Sequence, residues 1–458
     1  MKAKKYIVAL LLITTLVATV SCSSKETVNE VSNTKAPKAE IKIDVMRHEN
    51  NLLAAIRIFN ETHNNVSINY GDTISYDEDF RNKYITSLAV GEGPDIIRID
   101  PYLDSGRVLL SAIYKTADSG VFYDLNKLIE KDESFKLSDY NQKAMESGII
   151  NGKRAFIPTT YTFRVFFAKD KVLRENNISM EETDWTLENF VNEACAFTEN
   201  NEKIEKTGKY FAVAYGFKLS DVVKISGLDF IDYKKKEAKF NSNEFIDLIN
   251  IYKKLSSVKT KSPDRYYYSE ETFTGGVDCA DFNNGNAIIM DNLVSPLWSR
   301  DRNNKQANIY LFPQYNNKKS ILIEPKGSLA INSNSKYKNE AFEFIKLLIS
   351  EEHQLNTSEF KQMYYLPVNI NACLNNTNFY IANLKGYQPD TNEYDYEKRK
   401  EQVKAQYKEI ESISRCDTVD AQIYDIIDSE AQSFINGKRT AEQTAEIIQN
   451  KVMLYLNE

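Results

Sequence analysis

Apolar and polar residues alternate where the ordered pattern of the chain begins. Ile41, Ile43 and Val45 are each separated by one polar residue, the period of a half-buried strand, which ends near Met46. Leu52, Leu53, Ile56 and Phe59 then share one face at the helical period. The same pair of periods repeats. Val66, Ile68 and Tyr70 predict a strand ending at Gly71-Asp72, and Phe80, Tyr84 and Leu88 predict a helix. That helix runs into Gly91, the chain turns at Gly93-Pro94, and Ile96, Ile97 and Ile99 form a third strand ending at Asp100-Pro101-Tyr102. Asp95 is read as structural, capping the turn that starts this strand. Strands alternating with helices of this length predict a parallel sheet with right-handed crossovers. Ligands bind such sheets beyond the carboxyl ends of the strands. Those ends carry Arg47-His48-Glu49-Asn50, Gly71-Asp72-Thr73 and Asp100-Pro101-Tyr102.

Further along, 123–130 reads as a short amphipathic helix, and Asn151-Gly152 signals a hairpin between two short strands. The β-branched and aromatic run 159–168 predicts a strand passing into a second domain, followed by a helix over 169–176. Thr186 is placed to cap a helix that includes Phe190. Helical patterns recur at 243–255, 337–355, 395–413 and 441–456. A turn at Asn283-Asn284-Gly285-Asn286 leads into a strand at 287–291, and 320–331 gives two strands around Pro325-Lys326-Gly327. No internal repeat is visible.

Length changes this picture only by requiring two or more domains, since 458 residues exceed a single core. The 42% apolar and 27% charged fractions are those of a soluble globular protein. A net charge of −7, with Lys234-Lys235-Lys236 as a lone basic cluster read as a solvated loop or helix end, gives no reason to expect nucleic acid. Lys2, Lys4 and Lys5 precede an apolar stretch over 6–20, which predicts a secretory signal rather than a membrane span. The stretch ends at Thr19-Val20-Ser21-Cys22, similar to a bacterial lipobox, so 1–22 is read as a lipoprotein signal peptide with Cys22 as the lipid anchor. Residues 23–40 follow as a flexible tether, polar and without periodicity. Cys195, Cys279, Cys373 and Cys416 are too widely spaced for a metal cluster, so neither metal nor cofactor is expected. One disulfide among them suits an extracellular setting, the pair being left open, and Cys195 falls on the apolar phase of its helix, which predicts a buried thiol.

Taken in order, several loose motifs line up. They are the lipobox-like Cys22, Gly91-Glu92-Gly93-Pro94-Asp95, the segment from Gly152 to Pro158, Trp185 to Phe190, and Phe282-Asn283-Asn284-Gly285-Asn286-Ala287. Leu329-Ala330-Ile331, then Ala341-Phe342-Glu343-Phe344-Ile345-Lys346, and Tyr365-Leu366-Pro367-Val368-Asn369 complete the series. In register, they resemble the family 1 extracellular solute-binding proteins of bacterial ABC importers. Two departures mark this chain. Residues Asp291 to Ser295 stand where the family often has Gly-x-Trp, with Trp298 the nearest Trp, and Ala168 stands where Asn is usual. The resemblance implies an α/β fold of the two-lobed periplasmic-binding-protein type (type II), with a ligand crevice between the lobes. Lobe one is expected at 41–157 and 287–332, and lobe two at 158–286 and 333–458. It also implies a monomer at the extracellular face of the membrane that captures a sugar or oligosaccharide and passes it to the transmembrane subunits of an ABC permease.

A sugar offers flat C–H faces and a rim of hydroxyls, so its site needs aromatic platforms edged by carboxylates, amides or Arg. Residues of those types at strand ends and crossings are His48, Glu49, Asn50, Asp100, Tyr102, Tyr161, Arg164, Asp291, Trp298, Glu324, Tyr364 and Tyr365. For the tyrosines and Trp298 the ordinary alternative is lobe core, and for Arg164 or Glu324 a surface ion pair. An enzyme is not expected: His occurs three times, and no zinc-protease, nucleophile-elbow or Walker motif is present. A secreted glycan-cleaving enzyme needs only two carboxylates and stands as the alternative, with a surface adhesin as a third reading.

Overall fold

The βαβαβ start of the chain closes as its periods dictate. A computed structural model describes residues 39–45, 50–73, 77–99, 109–180, 185–203, 209–213, 217–258, 260–261, 265–266, 277–278, 280–293, 307–316, 320–356, 365–376, 408, 411–412, 414–416 and 419–458. Strand β1 (Ala39–Val45) pairs in parallel with β2 (Val66–Thr73) and β3 (Ile96–Ile99), and helices α1 (Asn50–Thr62) and α2 (Glu78–Ala89) make the connections. Leu52, Ile56 and Phe59, the predicted stripe of α1, are buried. Asp77 caps α2 by accepting from the Phe80 amide at 2.8 Å. Gly91 and Gly93 then turn with φ of 82° and 99°, a region that disfavours any side chain. Asp95 is structural, as expected, though by joining neighbours: its Oδ2 accepts from the Lys42 amide at 2.9 Å, so it ties β3 to β1.

The other elements that position the site are α3 (Ile113–Asp118), α4 (Gln142–Glu146), β4 (Ile149–Ile150) and β5 (Lys153–Arg154). The hairpin of β4 and β5 turns at Asn151-Gly152, where both residues take positive φ, as a two-residue hairpin turn requires. Strand β6 (Thr160–Lys169) follows, then β7 (Tyr210–Val213), the hairpin strands β8 (Ile231–Asp232) and β9 (Glu237–Ala238), and β10 (Thr260–Lys261). Next come β11 (Ala287–Leu293), β12 (Ala307–Tyr310), β13 (Ile321–Lys326) and β14 (Ser328–Ile331). The last are α5 (Lys338–Leu348), β15 (Leu366–Pro367), β16 (Ser414–Cys416), α6 (Ala421–Ile435) and α7 (Ala441–Asn457).

These strands form two main sheets. The four-stranded one has the order β14-β3-β1-β2, with β14 antiparallel to β3. The eight-stranded one runs β10-β7-β11-β6-β13-β16, with β12 and β15 also paired to β6. Strand alternation along β6 serves two cores. Tyr161, Phe163, Val165 and Phe167 enter the core that includes Ile41, Phe59 and Phe344. Phe166 and Ala168 enter the core built on Phe190, Phe211 and Phe245. Each fully buried Phe contributes roughly 1.5–3 kcal/mol by leaving water.

The chain crosses between the sheets at adjacent segments. The amides of Ile157 and Leu329 donate to each other's carbonyls at 2.9 Å, and the Thr159 amide donates to the Lys326 carbonyl at 3.3 Å. Gly327, with φ of 57°, makes the switch from β13 to β14, and a Cβ there would lie 2.5 Å from Thr159 Oγ1. Sheet membership therefore divides the chain differently from the expected lobes. Strands β11, β12 and β13 are bonded into the long sheet, and only β14 of the stretch 287–332 joins the four-stranded one. Helix α5 packs on α1, with Phe344 edge-on to Phe59 at 5.6 Å.

Other readings differ locally. The expected helix over 337–355 is two helices, because Ser350 Oγ accepts from the His353 amide at 3.2 Å and caps a second one at Glu351–Asn356. The helix expected over 123–130 is a single turn at Asn126–Ile129. That over 395–413 lies almost wholly outside the described residues. The Lys234-Lys235-Lys236 cluster sits at the exposed turn of the β8–β9 hairpin. Cys195 is half-exposed rather than buried, its thiol facing the Lys254 carbonyl at 3.7 Å. Cys195, Cys373 and Cys416 are thiols without a disulfide, and Cys279 lies outside the described residues.

Candidate functional site

A cavity of about 600 Å³ opens between structures belonging to the two sheets. On one side stand Tyr114 of α3 and the hairpin tip Asn151-Gly152; on the other stand Asp229, Ile231, Tyr233 and Lys239 around the β8–β9 hairpin. The first side is built on the four-stranded sheet, since Ile113 and Ile150 pack with Ile97, Ile99 and Ala330. Asn151 is fixed by donating from Nδ2 to Asp118 Oδ1 at 2.6 Å. The second side belongs to the core of the long sheet, against which Ile231 and Tyr233 pack.

The two sides meet at one edge of the cavity. The rings of Tyr114 and Tyr233 stack with centroids 3.5 Å apart and planes within 5°. Behind them lies Asp420, immediately before α6 and 2% exposed. Its Oδ1 accepts from the Tyr114 amide at 3.0 Å and its Oδ2 accepts from the Tyr455 hydroxyl at 2.8 Å. Its own amide donates to the Tyr233 hydroxyl at 2.8 Å. Lys115 Nζ lies 4.1 Å from the centre of the Tyr455 ring. Burial pushes the Asp420 carboxyl up to about 6, against the opposing hydrogen bonds from Tyr114, Tyr455 and Ile113 and the charge of Lys115. Burial, then the nearby Asp420 carboxylate, also raises the Tyr233 and Tyr455 hydroxyls.

The sequence candidates fall in three groups. His48, Glu49, Asp100, Tyr102, Trp298, Tyr364 and the anchor Cys22 lie outside the described residues. For Asn50, Arg164 and Asp291 only the backbone is described: Asn50 begins α1, Arg164 pairs with Leu293, and Asp291 pairs with Phe166 in the β6–β11 ladder. Tyr161, Glu324 and Tyr365 are brought together at the crossing. Tyr161 pairs with Pro325 of β13 and Leu366 of β15, next to Glu324 and Tyr365. The Tyr161 ring is 2% exposed in the core, and its hydroxyl accepts from Asn141 Nδ2 at 3.3 Å. Glu324 forms an ion pair with Lys326 at 3.2 Å, largely out of solvent. Tyr114, Tyr233, Asp420 and Tyr455 escaped the sequence reading. Each lies on a separate element, and a chain with 28 tyrosines gives no local sign of which two will stack.

The cavity draws its lining from two bodies and includes the Asn151 amide, the Asp229 carboxyl and the edge of the Tyr114–Tyr233 stack. Among the described residues, no group of three or more His, Cys, Asp or Glu is placed to hold a metal ion. No described helix is long and apolar enough to cross a membrane.

Comparison with known proteins adds a family. The family described as bacterial extracellular solute-binding protein matches residues 46–355. Among solved structures, the chain resembles an ABC substrate-binding protein of Listeria monocytogenes in complex with cycloalternan (17% identity, TM-score 0.60, covering 92% of this chain and 100% of that one). It also resembles the acarbose-binding GacH receptor of Streptomyces glaucescens (15%, 0.60, 92% and 100%). A third is a putative oligosaccharide periplasmic-binding protein of Synechococcus in complex with zinc (13%, 0.62, 91% and 99%). At these identities the likeness is one of fold, and the fold is two-lobed. A search of curated proteins finds no match.

Proposed function

Because the chain belongs to the bacterial extracellular solute-binding protein family, we propose that it captures a sugar or oligosaccharide between its two lobes and delivers it to the permease of an ABC importer. In this reading the protein is a monomer held at the outer face of the membrane by a lipid on Cys22, with 23–40 as tether, and it performs no chemistry on its cargo. The observation that carries the reading is a cavity walled from both sheets in a chain whose segments cross between them. A hinge at such crossings brings both walls onto one ligand. Lobe one is assigned to 39–157 with 328–356, and lobe two to 158–326 with 366–458, following sheet membership and the packing of α5 on α1. His48, Glu49, Asn50, Asp100, Tyr102, Arg164, Asp291, Trp298, Glu324, Tyr364 and Tyr365 stay as proposed ligand contacts, and none of them is among the described residues that line the cavity.

The test is a glycan panel read two ways. Binding raises the melting temperature by linkage, and a ligand at 100 times its Kd adds about 2.7 kcal/mol. Product analysis of the same mixtures separates capture from turnover. A stabilising sugar recovered intact supports the proposal, whereas released fragments make the protein a glycan-cleaving enzyme. A native mass one diacylglyceryl group heavier than the chain from Cys22, lost in Cys22→Ala, tests the anchor.

A further inference from the structure

We infer that Asp420 is a positioning residue for capture, an interlobe latch that holds the lobes together more firmly in mild acid than at neutral pH. The inference rests on the capture reading and adds to it a specific contact and a pH response.

The geometry is a side chain of one lobe satisfying the backbone of the other. Helix α3 has Ala112 at its N-cap position, with no side-chain cap of its own. Its first amides would be orphaned where the lobes meet. Asp420, 306 residues away in sequence, supplies the acceptor to Tyr114 at 3.0 Å. The same carboxyl is braced from its own lobe by Tyr455, and its backbone is braced by Tyr233, whose ring stacks on Tyr114. The Gln422 amide donates to the Ser111 carbonyl at 3.2 Å beside this cluster. Separating the lobes here breaks the Asp420–Tyr114 bond, the ring stack and the Gln422–Ser111 bond together. It also exposes the amides of α3.

Among the described residues, Asp420 is faced by the Ile113 and Tyr114 amides and by groups from three elements. Tyr455 comes from α7, Tyr233 from the β8–β9 hairpin, and Tyr114 and Lys115 from α3. Of these only Lys115 is cationic at neutral pH, and it sits over the Tyr455 ring rather than on the carboxyl. Burial dominates, so the closed state holds a proton on Asp420 up to about pH 6. An open, hydrated Asp420 releases its proton near the ordinary value of about 4. The closed state therefore binds more protons between those values. Its added stability is full below the open-state value and is lost as pH rises through about 6. When protonated, the carboxyl donates to Tyr455 Oη while still accepting from the Tyr114 amide. The latch then holds without a buried charge.

Amide exchange at Ile113 and Tyr114, corrected for the intrinsic pH dependence, reads the latch directly in the ligand-free protein. Small-angle scattering reads lobe separation in the same samples. Exchange is expected to accelerate about tenfold or more between pH 5 and pH 7.5, with a rise in radius of gyration. Asp420→Asn should abolish that pH dependence and hold exchange near the pH 5 rate. Asp420→Ala should give fast exchange at both pH values. Tyr455→Phe, which keeps the ring, should give a smaller change in the same direction and guards against a variant that fails to fold. Wild-type exchange and scattering flat across this range, or an unchanged pH dependence in Asp420→Asn, would overturn the latch. These readouts use no sugar, so a silent glycan panel would sink the capture reading and leave the latch standing or falling by itself.

Discussion

Tyr161 and Tyr114 both sit where the two sheets meet, and they are held in opposite ways. Tyr161 lies within one continuous core, 2% exposed, with its hydroxyl on Asn141. Tyr114 is half-buried; its ring stacks on Tyr233 of the other body, and its amide donates to the Asp420 carboxyl. The crossing is thus packed like a protein interior, and the seam at the cavity is joined by a few polar and aromatic contacts. The difference locates where the molecule can open. A continuous core resists parting, whereas a seam of a few bonds can break and re-form as a unit.

The largest effect should come from emptying the crossing. Tyr161→Ala is expected to lower stability by about 3–5 kcal/mol, as for other large core aromatics. Tyr161→Phe, which loses only the hydroxyl, should cost about 1 kcal/mol in denaturant unfolding. A Tyr161→Ala variant of wild-type stability that fails to bind sugar would reverse the comparison and make Tyr161 a ligand residue. Gly327→Ala comes next. A positive φ and a Cβ 2.5 Å from Thr159 Oγ1 predict a loss of about 1–3 kcal/mol, measured the same way. Tyr114→Ala should cost less, about 0.5–1.5 kcal/mol, while moving the lobe separation seen by scattering. An equal effect of Tyr114→Ala and Tyr161→Ala on stability would erase the distinction between seam and core.

The smallest effect is expected away from both regions. Lys346 of α5 pairs with Asp132 and Glu343. The hydrogen bond from Lys346 holds the Asp132 carboxyl down at about 2. A depressed folded value gives stability that is present above the ordinary value of 3.8 and is lost as pH falls through about 2. The pair lies near the surface, so Lys346→Gln should cost under about 1 kcal/mol at pH 7 and nothing below pH 2.

The crossing was more legible in the sequence than the seam, for a physical reason. The β-branched and aromatic run over 159–168 and the turn at Pro325-Lys326-Gly327 are local signals, and a strand's period fixes its faces. The βαβαβ start and the Asn151-Gly152 turn were legible for the same reason. Lobe boundaries were not, because pairing of β11 and β13 with β6 is a long-range choice among apolar strands that look alike. The seam was the least legible. Asp420 shows no motif: it becomes a cap only when α3 is delivered to it from the far end of the chain, and Tyr114 and Tyr233 become a stack by the same delivery. Candidate residues chosen at strand ends, such as His48 and Asp100, came from a rule about parallel sheets. Tyr161 of β6 and Glu324 of β13 lie on paired strands, and Tyr365 directly precedes β15, which pairs with β6.

The central claim, capture of a sugar by closure of two lobes, is tested most directly by small-angle scattering of the protein with and without saturating neutral oligosaccharides, maltotriose among them. The account predicts that at least one sugar reduces the radius of gyration while remaining chemically intact. A profile that no sugar alters, together with an unmoved melting temperature, would contradict it.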